Sequence, residues 1–222
     1  MSSVTLDFAA ARDCMVDSQV RPNKVYDPRI LTAMRRIPRE CFLPPGLVSQ
    51  AYLDEDVRLP GGRALTEPMV IARMLQACAV LAGERALVVA SGTGYGAALL
   101  AACGAAVTAL EDDADLIELA RPALAAWAPG VMQVSGSLAA GWPEGAPYDL
   151  ILVDGAAAAF PPALAQQLRP RTGRIVGVLD SGRGTGLAVV AEMTPSGLRI
   201  QPQFDCSVPT IPALGPIAGF VF

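Results

Sequence analysis

Ser91-Gly92-Thr93-Gly94 and Glu111 are the residues of this 222-residue chain whose types and spacing first suggest chemistry. The glycines stand in "LVVASGTGYGAALL", where an apolar run passes through a turn into an alanine-rich segment. Glycine permits a tight turn and lets a ligand approach the backbone closely. Glu111 follows the next apolar run, about twenty residues on, the distance at which an acidic residue takes the hydroxyls of a ribose. Ala97 is the small third residue that a dinucleotide motif allows. Two ribose-bearing cofactors fit this pattern equally, a nicotinamide dinucleotide and S-adenosylmethionine. The plain alternative is an ordinary tight turn followed by a glutamate at a helix cap. The chain has no histidine. That removes Ser-His-Asp and Cys-His catalysis and the histidine-rich metal sites.

Such residues need strands to hold them. Short apolar runs alternate with helical stretches from Glu67 onward. Strands are expected at 85–90, 106–110, 130–136, 148–155 and 173–179, with paired strands at 186–193 and 198–204. Helices are expected over 67–81, ending before Gly83, and over 95–104, 113–127 and 160–168, with Pro122 a possible break. This alternation predicts an α/β fold with a mostly parallel sheet, and near-continuous apolar strands predict cover on both faces. Upstream, 5–20 reads as a helix. Asp27 and Pro28 start a second helix as N-cap and N1, and Pro38 ends it. Residues 38–65 are rich in proline and glycine, a long irregular arm that suggests a lid. The chain divides into an N-terminal helical extension and arm (1–66) and an α/β domain (67–222), packed as one unit.

Apolar residues make up 52% of the chain and charged residues 17%, enough to bury a large core. The net charge of -4 and the lack of a basic run argue against nucleic acid as a partner. No apolar run reaches the length of a membrane span. Five widely spaced cysteines, with no C-x-x-C pair, suggest a reducing compartment, and the cytoplasm is the expected location. Monomer and homo-oligomer both remain open.

The flanking segments distinguish the cofactors. "VDSQVRPN" (16–23), "DPRILTAMRRIPRECFLP" (27–44), "AYLDEDVRLPGGRALTEPMVIARML" (51–75) and "GSLAAGWPEGAPYDLILVDGAAAAFPPALAQQLRPRTGRIVGVL" (136–179) resemble the protein-L-isoaspartate O-methyltransferase family. The resemblance implies a Rossmann-like S-adenosylmethionine-dependent methyltransferase sandwich with a rearranged C-terminal strand order. It implies methylation of the α-carboxylate of isoaspartyl residues in damaged proteins or peptides. By position, Ser91, Gly92, Thr93 and Gly94 would contact the methionyl and ribose parts of the donor. Glu111 would take the ribose hydroxyls, and Ser137 and Leu138 would meet the adenine. Thr66 would bond the substrate, or cap the helix at Pro68; Asp154 would stand near the transfer site, or cap a turn. Leu59, Gly61, Gly62 and Glu67 would shape the substrate side.

The chain departs from the family pattern at four places. Val88 stands for an acidic residue, Ala90 for a glycine, Ser137 for an aspartate and Glu67 for a glutamine. Ala90 is expected to narrow the crevice, and Arg58 and Arg63 to offset Glu67. Besides an isoaspartyl methyltransferase, the sequence admits a methyltransferase for another carboxylate or small molecule, and a nonenzymatic scaffold with weakened donor binding.

Overall fold

A computed structural model describes residues 7–180 and 185–216. The N-terminal extension opens with α1 (Phe8–Met15), whose N-cap Asp7 accepts from the amides of Ala9 and Ala10. The helix continues as a π-helical turn over Val16–Val20, and Lys24, in the left-handed conformation, ends this first segment. Next comes α2 (Pro28–Arg36), capped as expected by Asp27, which accepts from the Arg29 amide at 2.9 Å. The arm is less irregular than its proline content suggests. It holds 3-10 turns at Arg39–Phe42 and Pro45–Gln50, then a small hairpin of β1 (Val57–Arg58) and β2 (Ala64–Leu65).

The α/β part runs α3 (Pro68–Cys78), β3 (Arg85–Val89), α4 (Tyr95–Ala102), β4 (Ala106–Glu111), α5 (Ala114–Trp127), β5 (Met132–Ser135), β6 (Leu150–Ala157), α6 (Pro162–Gln166), β7 (Arg174–Asp180), β8 (Gly186–Thr194) and β9 (Gly197–Cys206). One local expectation is corrected and one open point is decided. The helix after Glu67 stops at Cys78, because Ala79 turns left-handed with φ 46°, four residues before Gly83. Pro122 does not break α5, which runs through it under an Asp113 cap.

The seven-stranded sheet has the order β5-β4-β3-β6-β7-β8-β9. The strands from β5 to β7 pair in parallel, while β8 and β9 add an antiparallel hairpin at the edge. After β3 the chain steps outward to β4 and β5, then returns to lay β6 on β3's other side. That reversal opens a crevice at the carboxyl ends of β3, β4 and β6.

Alternation along the strands divides the core in two. Ala86 and Val88 of β3, with Leu150 and Leu152 of β6, pack against the side chains of α1 to α5. Leu87, Val89, Ile151 and Val153 point the other way, toward Leu164 of α6 and Ile211 and Leu214 of the last described segment. Met15, Met34 and Phe42 from the extension sit in the same cluster as Val88 and Leu152, so extension and sheet share one core. Val88 is fully buried in that cluster, where an apolar side chain needs no polar partner. Beyond β9, Thr210 bridges to Ala156 and the amide of Ala158 reaches the Leu214 carbonyl, carrying the chain back over the end of β6. The tail Gly219-Phe220-Val221-Phe222, read as a candidate edge strand or docking segment, lies outside the described residues. Among the described residues no helix is long and apolar enough to cross a membrane.

Candidate functional site

The turn after β3 is held by backbone geometry. Ala90, Gly92 and Gly94 all have positive φ, at 59°, 54° and 90°. The Ser91 amide donates to Leu110 of β4 at 3.0 Å, and the Gly94 amide donates back to Ser91 at 2.8 Å. Gly94 is then the N-cap of α4. A Cβ there would meet Leu124 of α5 at 3.0 Å, so glycine is required by space as well as by φ. Ala90 adopts a conformation that glycine holds without strain, at a cost of roughly 1–2 kcal/mol for an L-residue. Its methyl is buried in the second core cluster with Leu87 and Val89.

Glu111 ends β4 and is 1% exposed. One carboxylate oxygen accepts from the Gly92 amide at 2.8 Å; the other accepts from the amides of Asp112 (2.9 Å) and Asp113 (3.2 Å). The same carboxylate also receives Arg63, whose Nη2 lies 2.8 Å from Glu111 and 2.6 Å from Asp112. Burial pushes the Glu111 carboxyl up, but Arg63, the Asp112 side chain and the Gly92 amide together pull it below the usual range, so it is ionised. Arg63, expected to offset Glu67, is instead committed to Glu111.

Thr66 stands at the start of α3. Its hydroxyl donates to Asp154 Oδ1 at 2.9 Å. The N-cap position belongs to Glu67, so Thr66 is not the helix cap. Asp154 lies within β6, at the irregular stretch of its pairing with β7, and its other oxygen sits against Gly96 in the first turn of α4, where a Cβ would come within 2.6 Å. It does not cap a turn of its own. Burial lifts its carboxyl to about 6, against the opposing pull of the Thr66 hydrogen bond and Arg39. Glu67 is also raised, by burial and by Asp56 and Asp54. Its amide donates to Asp56 Oδ1 at 2.7 Å.

Behind this pair lies Arg39, which is completely buried. Its Nε donates to the Ala51 carbonyl at 2.7 Å, and its Nη2 to those of Thr66 (2.8 Å) and Leu65 (3.3 Å). The guanidinium lies 5.1 Å from the ring centre of Tyr95, which in turn packs edge-on to Phe42. Arg39 thus fixes the backbone that presents Thr66. Its sequence context, "RRIPRE", hides it among surface charges; the one available signal is Pro38, which takes Arg39 off the face of α2.

The other expected residues divide. Leu59 lies over the turn, with Cδ1 4.0 Å from where a Gly92 Cβ would be; a Cβ on Gly61 would collide with Asp113, and one on Gly62 would meet Pro212 at 3.0 Å. The arm therefore covers the crevice. Ser91 and Thr93 are buried within it, and Ser137 is exposed at its rim. The Leu138 side chain is fully buried in the second core cluster, against Leu110 and Trp142, so its backbone is the part open to a ligand. A cavity of about 10 Å³, at the limit for one water, is lined by Arg63, Thr66, Asp154 and Ile211.

A glycine turn, a buried acid on the next strand and a covering arm are joined by a sequence match. The model of "Protein-L-isoaspartate(D-aspartate) O-methyltransferase (PCMT)" matches residues 11–183. The chain belongs to this family. A protein-L-isoaspartate O-methyltransferase from Methylorubrum extorquens is 44% identical over 170 residues, which cover 77% of this chain and 74% of the relative. Another, from Koribacter versatilis, is 39% identical over 184 residues and 82% of each chain. A solved protein-L-isoaspartate O-methyltransferase superposes with a TM-score of 0.75 at 24% identity, over 88% of this chain and 64% of its own. One from Plasmodium falciparum, described as a putative family member in complex with S-adenosyl-L-homocysteine, does so with a TM-score of 0.75 at 18% identity, over 91% and 98%. The architecture is thus the Rossmann-like methyltransferase sandwich, and the sequential β8-β9 edge is the rearranged strand order that the resemblance implied.

Proposed function

We propose that the chain transfers a methyl group from S-adenosylmethionine to the α-carboxylate of L-isoaspartyl residues in proteins or peptides. The observation that carries this reading is the coupling of Glu111 to Gly92, 2.8 Å apart, beneath an arm that presents Thr66. The residues fit the donor on a further point: the Thr93 hydroxyl is buried beside the turn and has no hydrogen-bond partner among the described residues. Ser91, Gly92, Thr93 and Gly94 would hold the methionyl and ribose parts, Glu111 the ribose hydroxyls, and Ser137 with the Leu138 backbone the adenine. The bound donor supplies an electrophilic methyl on a sulfonium.

The acceptor needs little activation. A carboxylate with an ordinary pKa near 4 is ionised at neutral pH, so no imidazole base is required. The chain's task is alignment and exclusion of water. Thr66 would orient the acceptor, with Asp154 and Arg39 fixing its hydroxyl and backbone. Leu59, Gly61, Gly62 and Glu67 would bound the acceptor side. The exposed thiols of Cys14 and Cys41 support a reducing, cytoplasmic setting.

A labelled-methyl assay on matched aspartyl and isoaspartyl peptides tests the proposal. Labelling confined to the isoaspartyl peptide is expected, and equal labelling of both would remove repair specificity. The competing reading, a scaffold that no longer takes the donor, draws on Arg63 at the Glu111 carboxylate. Calorimetry with S-adenosylhomocysteine separates the two, since a scaffold gives no heat at millimolar ligand.

A further inference from the structure

Arg63 borders two places at once. Its guanidinium is paired with Glu111 and Asp112, with 6% of the side chain exposed, and it also lines the small cavity shared by Thr66 and Asp154. Glu111 already accepts three backbone amides, so the arginine occupies the remaining face of the carboxylate. A ribose bound through Glu111 needs that face. The acceptor side has the opposite lack: Asp56, Glu67 and Asp154 surround Thr66, and an incoming carboxylate adds a further negative charge. Arg39 is fully buried there, its Nε and Nη2 on backbone carbonyls and its Nη1 without a partner among the described residues, so no face of it opens to an incoming carboxylate. Arg63 is the arm cation placed between the two sides, three residues before Thr66.

We propose that Arg63 works in two positions. Paired with Glu111, it latches the arm over the donor crevice; released by the donor's ribose, it becomes the cation that receives the acceptor carboxylate. The inference rests on the donor-dependent reading above. It implies ordered binding, donor first, because the acceptor's counter-ion is freed only when Glu111 takes the ribose. No covalent step is added to the reaction.

The test uses full-length Arg63→Gln and Arg63→Lys, with thermal melts to confirm folding. In calorimetry with S-adenosylhomocysteine, Arg63→Gln should bind at least about tenfold more tightly than the parent. At saturating donor its KM for an isoaspartyl peptide should rise about tenfold or more while kcat changes little, and Arg63→Lys should restore much of that KM. Unchanged or weaker donor affinity in Arg63→Gln overturns the latch, and an unchanged peptide KM overturns the acceptor role. If neither protein binds the donor, the donor-dependent reading and the acceptor role fail together. Amide exchange then decides the latch alone: faster exchange at 59–65 and Gly92 in Arg63→Gln supports it, and equal exchange overturns it.

Discussion

Thr66 and Asp154 form a pair whose charge varies with pH. Between an ordinary aspartate value of 3.8 and the value of about 6 that burial imposes on Asp154, the folded chain holds a proton that the unfolded chain has released. Folding stability therefore falls as pH rises through that window, by at most about 3 kcal/mol. Asp154→Asn should flatten this slope in urea titrations run from pH 4 to 7, and a slope equal to the parent's would show that other groups cause it. Thr66→Val removes the hydroxyl and keeps the shape. It should lower turnover while sparing donor affinity; unaltered turnover would leave Thr66 a structural residue. The chemistry of this pair was only half legible in the sequence. The family resemblance places both members near the site by position, but their bond spans 88 positions, and no spacing rule joins a loop hydroxyl to a carboxylate on a distant strand.

At the level of elements, the turn depends on Gly94 for its φ and for the space Leu124 fills. Gly94→Ala should cost about 1–3 kcal/mol in chemical denaturation and weaken donor binding with it. Stability equal to the parent's would mean that α5 yields easily. The βα alternation was readable because apolar runs and glycine stops recur at regular intervals, and every strand expected in the described part formed within a few residues. For the arm, the sequence indicates an irregular lid but not its internal structure. Its hairpin has two-residue strands, too short for any periodicity, and it is ordered by contacts with Gly92, Asp113 and Pro212 that sequence does not display. The early end of α3 and the passage of α5 through Pro122 share a related reason. Ala79 turns left-handed without a glycine, and Pro122 sits in a helix whose packing outweighs its missing donor.

Across the whole molecule, Arg39 links the parts. It ties the arm at Ala51 to the start of α3 at Thr66 and rests on Tyr95 of α4, in a core shared by extension and sheet. Arg39→Met leaves those carbonyls without donors and should cost about 2–4 kcal/mol, read by denaturant midpoint. Because the core is shared, Trp127 and Trp142 fluorescence should lose structure together with the helical circular dichroism, in one transition. Separate midpoints would mean that the extension unfolds on its own. The last described segment adds one more consequence. Val208, Pro209 and Ile211 wall the cavity beside Thr66 and Asp154, although they follow every glycine, acid and hydroxyl of the site in the chain. The site is thus closed by a segment made after the last strand, and a chain cut short after β9 would keep every recognisable motif on a protein with an open wall.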